Sequence, residues 1–163
     1  MYKLIVSNYE INKLYTLSED VDLSKVTFAS DSRIKKIDEC HVELSFTRFD
    51  EAFDILIKAK GTITAICSYT LEQFPYKYSF KERIVGRYDE EGDYKITNNS
   101  IDLEGVIIAL IDNAVPLNVT KPGAKKPSDG EGYRVLKEDE LIAERSKKSV
   151  DPRWAALDDI KLD

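Results

Sequence analysis

The stretch that decides the fold runs from Gly61 to Gly86 and reads GTITAICSYTLEQFPYKYSFKERIVG. Two runs within it, Thr62–Cys67 and Phe74–Lys81, alternate apolar or aromatic side chains with polar ones. Such alternation is typical of a β-strand that buries one face. The residues between the two runs have to reverse the chain. We therefore predict an antiparallel hairpin with Cys67 at its turn.

Two further strands are predicted before the hairpin. His41–Phe46 alternates so that Val42, Leu44 and Phe46 share one face, and Phe53–Lys60 has the same pattern. Four antiparallel strands in a row form a meander. A sheet of this kind has to curl or be covered on its apolar face.

The N-terminal region is predicted to contain both kinds of element. Residues 2–6 fit a short strand. Between Asn8 and Leu17, the apolar residues Ile11 and Leu14 recur at helical spacing and predict a short helix. The segment from Ser30 to Asp38 is mainly polar and is predicted to be a loop.

An apolar run, Leu103–Ile111, is predicted to form a buried helix. Asp102 is a suitable N-cap, Glu104 suits the positive end of the helix dipole, and Pro116 would end the helix. The many β-branched residues leave a buried strand as the alternative. The predicted fold class is α+β. It would be an antiparallel, strongly curled sheet or partly open barrel of about five to six strands, with a buried helix and a polar C-terminal tail.

The composition changes near residue 120, which predicts two regions. Residues 1–120 are expected to form the globular α+β domain, and residues 121–163 a flexible linker and tail. The reason is that Lys121–Gly130 offers no apolar anchor. Further on, Lys137–Lys148 is predicted to be a marginal helix or tail.

The end of the chain is predicted to be a short amphipathic helix. Asp151 and Pro152 suit its first positions, and Trp154, Leu157 and Ile160 share one face. This helix would dock either on its own domain or on a partner.

Length and charge narrow the class of protein. The chain has 163 residues and a formal net charge of -6. Any contact with nucleic acid would therefore need a local basic patch rather than bulk charge. The apolar run at Met1–Ser7 is too short for a signal peptide, and no stretch reaches the ~20 apolar residues of a membrane helix. With two cysteines in unlike surroundings, we expect free thiols, a cytoplasmic location and no membrane partner.

Catalytic and metal motifs are not found in the sequence. Cys40, His41 and Cys67 are the candidate metal ligands, but structural zinc takes four ligands in paired spacings, and Thr70 stands three residues after Cys67. We expect both cysteines to pack as small apolar groups, with no metal or other cofactor. Nothing in the sequence places His41, the single histidine, near a nucleophile, so no catalytic residue is predicted.

The second strand of the hairpin carries the candidate binding residues. Aromatic side chains interleave with cations there, and such a pattern can stack bases and contact phosphates. The same pattern also describes any exposed strand with a buried alternate face. The candidates are Tyr76, Lys77, Tyr78, Lys81, Arg83 and Arg87.

Two motifs resemble the YceD family, the large ribosomal RNA subunit accumulation proteins. They are the hairpin turn Cys67–Glu72, reading CSYTLE, and Asp151–Leu157, reading DPRWAAL. Their order around the predicted helix also matches, over roughly residues 40 to 160. Many members carry Cys-x-Arg-Cys-Leu at the hairpin and a second cysteine pair near the linker. This chain has Tyr69 for the arginine, Thr70 for the second cysteine, and no cysteine after Pro116.

Family members are bacterial and plastid proteins, and the resemblance implies a non-enzymatic role in the accumulation of large-subunit ribosomal RNA. We predict a bacterial factor in large ribosomal subunit biogenesis that acts by binding ribosomal RNA or a basic ribosomal protein. Without the cysteine pairs, it implies no zinc here. Further candidate partner-binding residues lie in the two motifs: Cys67, Tyr69, Asp151, Pro152, Arg153, Trp154 and Leu157. Two alternatives stay open. One is a protein-interaction adaptor that uses the Trp154 helix, and the other is an RNA-processing hydrolase, which needs carboxylates converging in a pocket. The oligomeric state is left open.

Overall fold

The computed structural model describes residues 2–89 and 91–147, and the chain divides into two compact units between Gly123 and Ala124. The described strands are β1 (Lys3–Ile5), β2 (Leu14–Asp20), β3 (Ile34–Arg48), β4 (Ala52–Ile66), β5 (Gln73–Arg87), β6 (Tyr94–Lys95) and β7 (Ser100–Asp102). The described helices are α1 (Leu103–Ala114), α2 (Glu138–Lys147) and a single 3-10 turn (Val6–Asn8). All of these except α2 belong to the first unit.

The larger sheet has five strands in the order β2-β3-β4-β5-β6. The strands from β2 to β5 are antiparallel to their neighbours, whereas β6 runs parallel to β5 over two residue pairs. The strands β1 and β7 form a separate antiparallel pair. The predicted hairpin is confirmed, since β4 and β5 pair from Ala52↔Arg87 to Ile66↔Gln73.

The central strands are longer than predicted, and two of the predicted strands are merged into one. The two predicted strands Phe53–Lys60 and Thr62–Cys67 are one continuous strand, β4, which passes through Gly61. The strand predicted at His41–Phe46 is the middle of β3, which already begins at Ile34. The loop prediction for Ser30–Asp38 is therefore wrong in its second half.

One face of the large sheet is apolar and buried. Its buried members include Val42, Leu44, Phe46, Phe53, Ile55, Ile57, Ala59, Ile63, Phe74, Tyr78 and Ile84. The helix α1 and the pair β1–β7 pack on this face: α1 contacts both β5 and β1, and Ile101 of β7 lies against Gly86 of β5. We call this the covered face, and the opposite side of the sheet the open face.

The α+β class and the buried helix are confirmed. A strongly curled or closed sheet is not found among the described residues, so this part of the prediction is corrected. The strands β2 and β6 form the two edges of the sheet and are not bonded to each other. A second layer covers the apolar face instead, so the sheet has no need to close on itself.

The helix α1 begins as predicted. The Asp102 carboxylate accepts a hydrogen bond from the backbone N–H of Gly105 at 3.4 Å, and the helix buries Leu103, Val106, Ile107 and Ile111. At its other end the Arg33 guanidinium donates to the carbonyl oxygens of Asp112 and Val115. The buried-strand alternative is therefore wrong. No helix in the described part of the chain is long and apolar enough to cross a membrane.

The helix predicted within Asn8–Leu17 is wrong, although the strand predicted at residues 2–6 is confirmed. After the 3-10 turn the chain forms β2, the edge strand that pairs with β3. Tyr15 and Leu17 lie on the covered face, and the Tyr15 ring stacks on Phe46 with centroids 5.6 Å apart. Pairing with β3 buries more apolar surface than an isolated short helix would, so tertiary contacts override the local spacing.

The second unit contains α2, which confirms a helix near Lys137–Lys148. The carboxylate of Glu140 accepts hydrogen bonds from Lys126 Nζ at 3.1 Å and from the backbone N–H of Lys137 at 3.0 Å. The helix predicted at Asp151–Ile160 lies outside the described residues. The division into residues 1–120 and 121–163 stays a prediction.

Candidate functional site

The candidate residues on β5 are divided between the two faces of the sheet. Successive side chains of a strand point to opposite sides. Tyr76 and Tyr78 consequently lie on the covered face, whereas Lys77, Lys81 and Arg83 lie on the open face. The aromatic and basic side chains that interleave in the sequence do not form one mixed surface.

The two tyrosines support the fold. Tyr78 is only 5% exposed, and its hydroxyl donates to the backbone carbonyl of Glu39 at 3.1 Å. Burial raises the pKa of Tyr78, with a further contribution from a hydrogen bond to Cys40. Tyr76 is half-buried and meets the Phe74 ring edge-on. In this arrangement Tyr78 presents no ring face to a base.

The two arginines of the strand are already paired. The Arg83 guanidinium forms a bidentate ion pair with the Asp54 carboxylate. The Arg87 guanidinium forms another with Asp89, in which Nε and Nη2 donate to the two carboxylate oxygens at 2.8 and 2.7 Å. The hydrogen bond from Arg83 lowers the pKa of Asp54, so this carboxylate is ionised at neutral pH. These ion pairs reduce the positive charge that the arginines offer to a partner.

Four lysines on the open face form the strongest candidate. Register places Lys58 of β4 opposite Lys81 of β5, and Lys60 two residues further along β4. Lys77 lies opposite Thr62 on the same face. We call Lys58, Lys60, Lys77 and Lys81 the lysine surface. In the described part of the chain, Lys60, Lys77 and Lys81 make no ion pair, and Lys58 has one long contact of 3.9 Å to Glu43.

Two of these four lysines were missed by the sequence reasoning. Lys58 and Lys60 occupy alternate positions of a predicted strand, so the sequence already indicates that they lie on the same face. Their position beside Lys77 and Lys81 depends on the register of the hairpin. The register is set where Ile66 pairs with Gln73 across a six-residue connection. Eight residues further from this turn on each strand, Lys58 pairs with Lys81.

His41 lies beside the lysine surface with partners that the sequence did not reveal. Its Nδ1 is 2.7 Å from the Asp20 carboxylate, and its Nε2 is 3.3 Å from the Ser18 hydroxyl. Asp20 is directly opposite His41 in the β2–β3 ladder. Val21 donates its N–H to the carbonyl of Cys40, so the adjacent Asp20–His41 pair is of the non-hydrogen-bonded kind, in which side chains approach closely.

A groove of about 700 Å³ runs beside His41. One side of the groove is basic, with Lys60 and Lys77. The other side carries carboxylates, contributed by Asp20, Asp22, Asp38 and Glu39. Two of these already bind neighbours on β4: Asp38 accepts a hydrogen bond from Thr64, and Glu39 accepts one from Thr62.

At the hairpin turn, Cys67 is buried and held by hydrogen bonds. Its Sγ accepts a hydrogen bond from the backbone N–H of Lys121 at 3.4 Å, while Lys121 Nζ bridges to Glu72 at 3.1 Å. Burial would raise the pKa of the Cys67 thiol, but hydrogen bonds from Thr70, Lys121 and Tyr69 outweigh it and lower the pKa to about 7. Tyr69 is half-buried beside it.

The other candidates are separated from the turn or lie outside the structure. Cys40 is also buried, and burial raises the pKa of its thiol. Within residues 2–89 and 91–147, no group of three or more His, Cys, Asp or Glu side chains is arranged to hold a metal ion. The C-terminal candidates Asp151, Pro152, Arg153, Trp154 and Leu157 lie outside the described residues.

Fold and site together define an α+β protein that covers one face of its sheet and presents a group of lysines on the other. Residues 55–161 match the family model described as YceD, large ribosomal RNA subunit accumulation protein. This is more than half of the chain, so the chain belongs to the YceD family, and the resemblance seen in the sequence is confirmed. No curated protein and no solved structure matches the chain.

Proposed function

We propose that this protein is a non-enzymatic factor in large ribosomal subunit biogenesis that binds ribosomal RNA through its lysine surface. Membership of the YceD family supports the ribosomal role. The observation that carries the mechanism is the gathering of four lysines on one open sheet face of a chain with net charge -6. Lysines that neutralise phosphates release counterions, which drives binding. Such a role belongs to the bacterial cytoplasm, and we propose that location as well.

The contacts are expected to be with phosphates more than with bases. The aromatic rings of Tyr76 and Tyr78 lie on the covered face, away from the lysines. Phosphate contacts position a nucleic acid without reading its sequence. We therefore propose binding that is sensitive to salt and has little sequence preference.

A basic ribosomal protein is the second candidate partner. The carboxylates of the groove favour it, because a basic chain is attracted to Asp20, Asp22, Asp38 and Glu39. Asp20 is already paired with His41, however, and Asp38 with Lys36 at 3.2 Å. The lysines have fewer partners than the carboxylates, so RNA is the better-supported partner.

The enzymatic alternative has one observation in its favour. Ser18, His41 and Asp20 stand in the order of nucleophile, base and orienting carboxylate. Yet the Asp20 side chain is 89% exposed, and a carboxylate in water orients and stabilises a histidine weakly. We therefore propose that the protein is not an enzyme.

The proposal is tested by measuring RNA affinity at two salt concentrations. We expect an unstructured large-subunit RNA fragment to bind, with an affinity that falls steeply between about 50 and about 200 mM salt. Replacing Lys77 and Lys81 with alanine should weaken binding. It should also reduce the slope of log affinity against log salt by about 1.4, or about 0.7 for each phosphate contact with single-stranded RNA.

The matched control replaces Lys3 and Lys13 with alanine. This removes the same charge, but Lys3 belongs to β1, on the covered side, and Lys13 precedes β2. If both double variants lose affinity equally, the effect is one of net charge and the lysine surface is not the site. If the wild-type protein fails to bind at low salt, RNA binding itself is excluded.

A further inference from the structure

Three lysines of the lysine surface line a small hollow on the open face. Its volume is about 200 Å³, and its walls include His41, Lys58, Lys60, Ser79 and Lys81, together with Glu43, Ala59 and Phe80. Register explains the grouping, because Ser79 is directly opposite Lys60 and Lys81 is directly opposite Lys58. His41 is opposite Lys60 on the other side of β4.

Like charges face each other across this hollow. Lys58 and Lys81 are a direct cross-strand pair, an arrangement that costs stability when both are ammonium ions. Glu43 is the only carboxylate that lines the hollow in the described structure, and its contact with Lys58 is long, at 3.9 Å. A bound anion would relieve the repulsion between the lysines.

The side chains that line the hollow include donors for a tetrahedral anion. Each lysine ammonium offers three hydrogens and acts as a point charge, and Ser79 of β5 adds a hydroxyl donor beside Lys60. A water molecule takes roughly 30 Å³ in the liquid, so the hollow has room for one phosphate group with a few waters.

The charge of the hollow distinguishes between two kinds of phosphate. An internal phosphodiester of RNA carries a single negative charge. A terminal phosphate monoester carries about -1.5 to -2 at pH 7 and exposes three acceptor oxygens. Three lysines around one hollow match the second kind better, because each added unit of charge interacts with all three.

We infer that the hollow at Ser79 binds a terminal phosphate monoester of the RNA. The inference rests on the RNA binding proposed above and adds to it the feature of the RNA that the surface prefers. Lys77, the member of the lysine surface outside the hollow, then binds a phosphodiester of the RNA chain that follows. The protein would accordingly favour processed or cleaved RNA ends that carry a phosphate over ends that carry a hydroxyl.

The test compares RNA oligonucleotides of one sequence that differ only at their ends. The full-length protein is titrated against the oligonucleotide with two terminal hydroxyls, with a 5′-phosphate, and with a 3′-phosphate, at constant salt. We expect about tenfold tighter binding for at least one phosphorylated form, and the two phosphorylated forms show which end is used. Equal affinity for all three overturns the inference.

Single variants test whether the preference for a phosphorylated RNA end arises at the hollow. Ser79→Ala and Lys58→Gln should reduce the preference for the phosphorylated end to about twofold or less, whereas Lys3→Gln should leave it unchanged. A preference that persists in Lys58→Gln places the phosphate elsewhere and overturns the inference. Because Ser79 is exposed on the open face, its substitution leaves the core intact.

The failures of the two proposals are distinguishable. If all three oligonucleotides bind equally and the binding depends on Lys77 and Lys81, the RNA-binding function stands and the terminal-phosphate site falls. If none of them binds at low salt, both fall together.

Discussion

Gly61 lies in the middle of β4, where its lack of a side chain is needed for close packing. A Cβ at this position would lie 1.9 Å from the backbone oxygen of Glu39 and 2.8 Å from the Tyr78 hydroxyl. The β3 strand has register shifts between Ile37 and Glu39, and this irregularity brings its backbone over the glycine. The Tyr78 hydroxyl lies close to the space that a side chain would occupy.

We predict that Gly61→Ala lowers the free energy of unfolding by about 3 kcal/mol, since the backbone oxygen of Glu39 has to move to admit the methyl group. The urea midpoint measures this loss. Gly105→Ala is the control. Its Cβ would meet Asp102 at an ordinary 3.6 Å, and alanine favours a helix, so it should be neutral or slightly stabilising. Equal midpoints for Gly61→Ala and the wild type would contradict the packing argument.

The hypothesis that the protein is an enzyme can be tested at His41. We predict that p-nitrophenyl acetate hydrolysis by the protein is no faster than that by free imidazole at equal concentration. The same rate is expected for Ser18→Ala, because Asp20 is in water and cannot hold the charge of an imidazolium strongly. Ser79→Ala, on the same face, serves as the control. Hydrolysis that is lost in Ser18→Ala and kept in Ser79→Ala would show a working serine nucleophile.

At the scale of elements, β5 has two separate roles. Its covered side carries Phe74, Tyr78 and Ile84 into the core, and its open side carries lysines. Among the described residues, the outer edge of β5 pairs with β6 over Gly86 and Arg87 alone. Charged side chains near an open sheet edge oppose pairing with a second sheet, and Lys77 and Lys81 lie on this strand.

The helix α1 belongs to the layer that covers the sheet, and its two ends are held by different means. Asp102 caps its start from the adjacent strand β7, and Arg33 reaches its last carbonyl oxygens from just before β3. Arginine at this end also complements the negative pole of the helix dipole. The C-terminal cap thus comes from a residue about 80 positions away in the sequence.

We predict that Asp102→Ala destabilises the protein by about 1 kcal/mol, because the N–H of Gly105 loses its acceptor. The melting temperature should fall by roughly 3 °C for a protein of this size. Asp102→Ser retains an acceptor at the N-cap and should recover most of the loss. If the alanine and serine variants melt at the same temperature, the cap does not contribute as argued.

For the whole molecule, the proposed function requires an acidic chain to bind an acidic RNA. The net charge of -6 is distributed over the protein, whereas the lysine surface is confined to one face of two strands. At physiological ionic strength charges are screened beyond about 8 Å, so an RNA at this face responds mainly to the local lysines. The acidic remainder limits non-specific binding elsewhere on the protein.

The C-terminal segment is the place to test the adaptor alternative. We predict that deleting residues 150–163 leaves the urea midpoint unchanged, because α1 and the β1–β7 pair already cover the core face of the first unit. The same deletion should abolish co-sedimentation with large-subunit precursor particles if the Trp154 motif docks on a ribosomal partner. A lowered midpoint would instead place Trp154 in the core, and retained co-sedimentation would exclude the adaptor role.

Local patterns in the sequence determined much of the architecture. Alternation in Thr62–Cys67 and Phe74–Lys81 was sufficient to predict the hairpin, and Asp102 before an apolar run was sufficient to predict α1. These signals succeed because strand pleat and helix capping depend on neighbours in the chain. The family was also recognisable from the turn at Cys67 and from the C-terminal motif, and residues 55–161 confirm it.

Tertiary structure alone decided the arrangement of the site and the course of the long strands. Gly61 reads as a break, yet it continues β4 because Glu39 and Tyr78 pack over it. The interleaved tyrosines and lysines of β5 read as one surface, but the pleat sends them to opposite faces, and only pairing with β4 brings Lys58 and Lys60 beside Lys77 and Lys81. Contacts between residues distant in sequence have no local signature. They depend on register and layer packing, and these are fixed only when the whole chain has folded.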